Sequence, residues 1–148
     1  MRDGWGGRVV RARTLAVLAP AGDSSAMEHN FLEGVRLFNS QQYFEAHEAL
    51  EAVWLKATGD RKTFLHGLIQ VAAAFHHHSR NNPAGFKSLL EKGCTKLAPF
   101  GAEYEGADLA GLMQQLQRWR EHLSASSLPG PPTPPLPHIR LKGNPNRR

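Results

Sequence analysis

Apolar residues recur along this chain at helical spacing and nowhere at strand spacing, which confines it to an all-α fold. Phe31, Val35 and Phe38 repeat at i, i+4 and i+7. Turned through ~100° per residue, Tyr43, Ala46, His47, Leu50 and Trp54 share one face of a second segment, from about Gln42 to Lys56. Phe64, Leu68, Val71 and Phe75 form the stripe of a third, roughly Lys62 to Arg80. A fourth buries Phe86, Leu89, Leu90, Gly93 and Leu97. A fifth starts near Ala107 and aligns Leu109, Leu112, Met113, Leu116, Trp119 and Leu123, an amphipathic spacing. No alternating run lies between hairpin turns, so no strand is predicted.

The breaks between stripes fit helix ends. Asn39-Ser40 can accept free N–H groups at the start of the second helix. Gly59 suits a left-handed helix end, and Asp60 can cap the third helix. Asn82-Pro83 is a helix start, because Asn caps and Pro tolerates the first helical position. Short connections make neighbours antiparallel, pairing the second helix with the third and the third with the fourth. Gly67, Ala72 and Ala74 permit close approach of a neighbour. Past Ser124, Leu128-Pro-Gly-Pro-Pro-Thr-Pro-Pro-Leu-Pro137 cannot continue a helix. The expected architecture is therefore all-α: a compact bundle of about five antiparallel helices over 27–123. A disordered arm or upstream extension (1–26) precedes it, and a Pro-rich, basic, disordered tail (124–148) follows.

Charge follows the same division. The 148 residues carry a formal net charge of +5. Residues 27–123, however, hold ten basic residues against eleven acidic ones. The surplus belongs to the ends, among them Arg2, Arg8, Arg11 and Arg13 at one and Arg140, Lys142, Arg147 and Arg148 at the other. A nucleic-acid-binding face needs its Lys and Arg on the domain itself, so specific nucleic-acid binding is not expected. No apolar run approaches the ~20 residues of a membrane span. Thr14–Pro20 is apolar after four arginines and offers a partial targeting pattern. Against it stand a disordered arm, favoured by Gly and Arg enrichment without helical period, and an alternative start at Met27. A single cysteine, Cys94, allows no internal disulfide and points to a reducing compartment. Its apolar neighbours mark it as a core residue rather than a nucleophile.

The second helix carries the chemistry. His47-Glu48-x-x-Glu51 places an imidazole toward the core with a carboxylate one turn away, Glu51 at the edge of that face and Glu48 beyond it. It is one residue short of the zinc hydrolase pattern, Glu51 standing where a second histidine would be. A metal reading needs further ligands, with His47, Glu51, His66 and His76 as candidates and Zn or Fe as the ion. The third helix has no acidic residue between Lys62 and Arg80, which disfavours a di-iron carboxylate bundle. The favoured reading is a buried polar network of His47, Glu48, Glu51, Trp54, Gln70 and His76, with Gln70 bridging to a glutamate and no cofactor. His76, His77 and His78 lie ~100° apart on a helix and cannot chelate one ion together.

Two segments together, Phe38-Asn39 with Tyr43-Phe44-Glu45-Ala46-His47-Glu48, Leu50-Glu51 and Trp54, then Gly67-Leu68-Ile69-Gln70, Ala73 and His76, resemble the proteins grouped as domain of unknown function 309. The resemblance covers Phe31 to Leu97. It implies a compact helical protein of bacterial or plastid type and carries over no catalytic residue. Relatives continue with a Gly-Asn turn and a Gly-Ala pair, where this chain has Asn81-Asn82 and Gly85-Phe86. The expectation is a non-enzymatic interaction or scaffold domain of the cytoplasm (alternatively the plastid stroma). It would bind an unidentified protein partner beside the second and third helices, with no membrane contact and room for weak homo-oligomerisation. The alternative is a metal-dependent hydrolase or other metalloenzyme built on the HExxE helix.

Overall fold

Five helices follow one another in a computed structural model that describes residues 24–125 and 133–142. They are α1 (Ser24–Asn39), α2 (Tyr43–Lys56), α3 (Gly59–Ser79), α4 (Pro83–Leu97) and α5 (Leu109–Ser124). A 3-10 turn (Ala98–Phe100) and two short antiparallel strands, β1 (Glu103–Tyr104) and β2 (Ala107–Asp108), connect α4 to α5. The all-α expectation holds. The hairpin is a small correction to it: two residues per strand are too few to print an alternation in the sequence.

Two helical hairpins share one kind of closing turn. At the end of α1, Gln42 N–H donates to Leu37 C=O (2.9 Å) and Gln41 N–H to Phe38 C=O (3.0 Å), with Gln41 at φ 67°. At the end of α3, Asn82 N–H donates to His77 C=O (2.9 Å), with Asn81 at φ 60°. Both put a left-handed residue just past the helix and satisfy carbonyls that would otherwise be orphaned. Asn tolerates this conformation better than most residues. Asn82 caps α4 by accepting from Gly85 N–H (3.1 Å), as expected for Asn-Pro.

Gly59 is left-handed (φ 62°), as expected, but the capping expectations for Asn39, Ser40 and Asp60 fail. Neither Asn39 nor Ser40 caps α2, which starts after Gln42 without a side-chain cap. Ser40 Oγ instead donates to Arg36 C=O (2.9 Å), and Asn39 turns to the C-terminal segment. Asp60 lies inside the first turn of α3, whose N-cap is Thr58. Asp108, unforeseen, caps α5 by accepting from Gly111 N–H (3.0 Å).

α2 packs between α1 and α3, and α3 packs along α4. Glycines set the closest approaches. A Cβ on Gly67 would lie 2.8 Å from Leu97 Cδ2, and one on Gly93 2.7 Å from Val71 Cγ2 and 3.1 Å from Gly67 C=O. α5 closes the bundle through Trp119, which is buried edge-on against Phe75 (5.3 Å) and Phe86 (5.6 Å). Arg120 adds a two-point contact to Glu91 on α4 (2.9 and 3.4 Å).

Residues 133–142 do not behave as a disordered tail. They run extended across α5, the β-hairpin and the end of α1, with Pro137 and Ile139 buried. Leu141 bridges Ala107 antiparallel, so this segment lies against β2. Proline blocks a helix here but suits an extended chain whose backbone groups are met by side chains. The described fold thus takes in residues 133–142 as well as the helices, the first of which begins at Ser24. The arm, targeting and start-site readings of residues 1–23, and the tail reading of 126–132 and 143–148, lie outside the described residues.

Candidate functional site

The motif residues gather where α2 meets α3. His47 is buried at 8% exposure, with Nε2 3.8 Å from Glu51 Oε1. Burial, and then the neighbouring His76, lower the His47 pKa to about 3, so its ring is neutral at physiological pH. The contact with Glu51 is accordingly not an ion pair. Burial, and then Glu48, raise the Glu51 pKa above its ordinary value. Glu48 departs from its expected place: at 2% exposure it is more buried than Glu51. A wheel with a single covered side fails for a helix that has neighbours on two.

Aromatic contacts join the two helices. Phe44 lies over His47 (6.0 Å between ring centres) and over His76 of α3 (5.6 Å). Trp54 lies against His66 (5.5 Å), and Lys62 Nζ sits 4.3 Å above the indole while donating to Trp54 C=O (3.1 Å). A cation over an indole face is attracted by the ring quadrupole. Trp54 is thus half-buried between α2 and α3, where a fully buried ring was expected. Gln70 lies on α3. Its Oε1 is buried and accepts no hydrogen bond among the described residues.

The three consecutive histidines diverge as the helical geometry requires. His76 meets Phe44, His77 Nδ1 lies 2.8 Å from Asn82 Nδ2, and His78 stacks near Phe86 (4.9 Å) and Trp119 (5.0 Å). His66 and His76 therefore contact different aromatic rings of α2. Among the described residues, no group of three or more His, Cys, Asp or Glu side chains is placed to hold a metal ion. Cys94 is buried on α4, and burial raises its thiol pKa.

The face has an open side. A shallow depression of about 560 Å³ is lined by Phe44, His76, His77, Arg80 and Asn82. Phe44 is 37% and Leu55 53% exposed, the large hydrophobic side chains most open to solvent among the described residues. Phe44 and Lys62 were not singled out from sequence. The available signal was spacing: Phe44, Glu48, Glu51 and Leu55 repeat at i, i+4, i+7 and i+11, a second stripe beside the core one.

Comparison with known families places these motifs. The family model described as domain of unknown function (DUF309) matches residues 31–89, from α1 through α3 into α4. Those residues are a DUF309 match. The segment holds the whole α2–α3 face and leaves out α5, the hairpin and residues 133–142. A similar protein is the uncharacterised protein YpuF of Bacillus subtilis (strain 168), 33% identical over 96 residues. The alignment takes in 63% of this chain and 55% of YpuF, so the chain spans about half the length of that relative. The DUF309 match names no activity. Among the described residues, no helix is long and apolar enough to cross a membrane.

Proposed function

We propose that this protein is a non-enzymatic interaction domain that binds a protein partner across the α2–α3 face. The observation that carries the reading is the pair of exposed hydrophobic side chains, Phe44 and Leu55, on the same stripe as the buried Glu48 and half-buried Glu51. Solvent-facing apolar groups at both ends of one stripe suit a partner that covers it. The near-neutral charge of 27–123 favours shape and apolar contact over electrostatic steering. A lone buried cysteine fits a reducing compartment, the cytoplasm or the plastid stroma.

Photo-crosslinking in living cells tests the reading. A photoreactive residue at Phe44 or Leu55 is expected to capture the same discrete partner, and one at Ser88 on the exposed side of α4 is not. Leu55→Arg should abolish capture from position 44 while leaving the helical circular dichroism unchanged. Equal labelling from all three positions would reject the α2–α3 face.

A further inference from the structure

Residues 133–142 are held in a manner that reads backbone more than sequence. Gln115 of α5 takes both backbone groups of His138: its Nε2 donates to His138 C=O (2.9 Å), and its Oε1 accepts from His138 N–H (2.9 Å). Asn39 of α1 does the same for Ile139, donating to its C=O (2.9 Å) and accepting from its N–H (2.7 Å). Successive residues of an extended chain turn their backbone groups to opposite sides, so the two amides grip the segment from opposite walls. Beyond them the β-hairpin takes over: Asp108 N–H donates to Arg140 C=O (2.9 Å), and Lys142 N–H to Gly106 C=O (2.6 Å). Trp119 Nε1 donates to Pro135 C=O (3.0 Å) at the other end.

From Pro137 onward, side chains enter at alternate positions, and Leu136 just before it is also partly buried against the core. Pro137 and Ile139 are buried and Leu141 partly so, while His138, Arg140 and Lys142 face solvent. This is the pattern of strand addition, in which backbone bonds supply affinity and pockets for every second side chain supply selectivity. An open cavity of about 680 Å³ remains beside Ile139 and Leu141, walled by α1 at Leu32, Val35 and Arg36. The groove is thus wider than the segment it holds.

We propose that the groove between α1, α5 and the β-hairpin is a binding site for extended peptides, occupied in cis by residues 133–142. Its ligand in trans is a partner segment with a proline, then apolar residues at the second and fourth positions after it, matching Pro137, Ile139 and Leu141. The positions between are unread. Prolines in such a segment reduce the ordering cost of binding, because the chain is already extended. Cis occupancy acts as a competitor, since a tethered segment has a local concentration on the order of millimolar.

A full-length chain with a specific protease site inserted between residues 126 and 132 tests this. After cleavage, a labelled peptide of sequence TPPLPHIRLK should bind saturably at one per chain by fluorescence anisotropy. The uncut chain should bind it at least tenfold more weakly. A peptide carrying Ile139→Asp should lose at least tenfold in affinity, and one carrying His138→Ala and Arg140→Ala should bind like the original. Three outcomes overturn the proposal. Equal binding to cut and uncut chains places the peptide elsewhere. Retention of the cut fragment against a large excess of labelled peptide, or loss of helical circular dichroism on cutting, makes 133–142 a fixed element of the fold. A dimer of the uncut chain that excludes the peptide would assign the groove to exchange between copies instead.

Discussion

Asn39 and Ile139, 100 residues apart in sequence, are joined by two hydrogen bonds between one side-chain amide and one residue's backbone. The C-terminal end of α1 is thereby fastened to the last described stretch of the chain. Removing the amide leaves a part-buried N–H and C=O unmatched, which typically costs about 1–3 kcal/mol. Asn39→Ala should lower the urea midpoint accordingly and speed amide hydrogen exchange at His138 and Ile139. An unchanged midpoint with unchanged exchange would show that the clamp adds nothing.

Ending the chain after Ala125 should destabilise it without abolishing its helices. Burying one isoleucine side chain is worth about 1.5–3 kcal/mol, and Ile139 is only one of the groups lost. A lower melting temperature at unchanged helical signal is the expected result. Identical melting of the short and full chains would mean that residues 133–142 do not dock in solution.

Gly93→Ala should destabilise more than Gly67→Ala. The new methyl at Gly93 meets backbone atoms of Gly67 and Val71 as well as the Val71 side chain, whereas at Gly67 it meets only side-chain atoms of Leu97 and Lys96. Overpacking costs typically ~1–3 kcal/mol, against a helix-propensity gain of ~1 kcal/mol. Denaturant midpoints of the two variants decide the order.

Gln41→Gly should stabilise by up to about 1 kcal/mol, since the left-handed position strains a Cβ that glycine lacks. Asn81→Gly should gain less, because asparagine already tolerates that conformation. Differential scanning calorimetry of both variants reads the difference. A destabilised Gln41→Gly would show that the glutamine's own contacts outweigh its strain.

Stability should fall as the solution is acidified from neutrality. Below pH ~6.5 the unfolded chain protonates His47, while the folded chain, with that pKa near 3, does not. The His47 contribution is therefore complete above ~6.5 and is lost as pH falls toward 3, with a limiting slope of ~1.4 kcal/mol per pH unit. His76 and His78, also lowered by burial, add the same sign. Glu51, raised by burial and then by Glu48, has the opposite sign, favouring the folded chain as pH falls through its raised pKa. Urea midpoints at pH 7.5, 6.5 and 5.5 should decline in wild type and more shallowly in His47→Gln. Parallel lines would reject His47 as a group buried in its neutral form.

Helix number, order and most buried stripes were legible because each depends on local spacing. Phe64, Leu68, Val71 and Phe75 repeat at helical intervals whatever packs on them. The Asn82 cap and the close approach at Gly67 were legible for the same reason. The residues of the α2–α3 face could be named, since His47 and Glu51 lie in one motif and His76 in the segment that follows it. Their pairing could not, because the Phe44 to His76 and Trp54 to His66 contacts depend on how two helices are rotated about each other. Residues 133–142 were read as a tail because their partners, Asn39, Gln115 and Asp108, are dispersed along the sequence. A segment held by other residues' amides carries no periodicity of its own.

That long-range fastening also sets an order of events in folding. The hairpins α1–α2 and α3–α4 join residues close in sequence, and such contacts form rapidly because little loop entropy is lost. The clamp between Asn39 and Ile139 must close most of the chain, and during synthesis one of its halves emerges a hundred residues after the other. The helices can therefore assemble while the chain is still growing, leaving the groove between α1 and α5 vacant until residues 133–142 arrive.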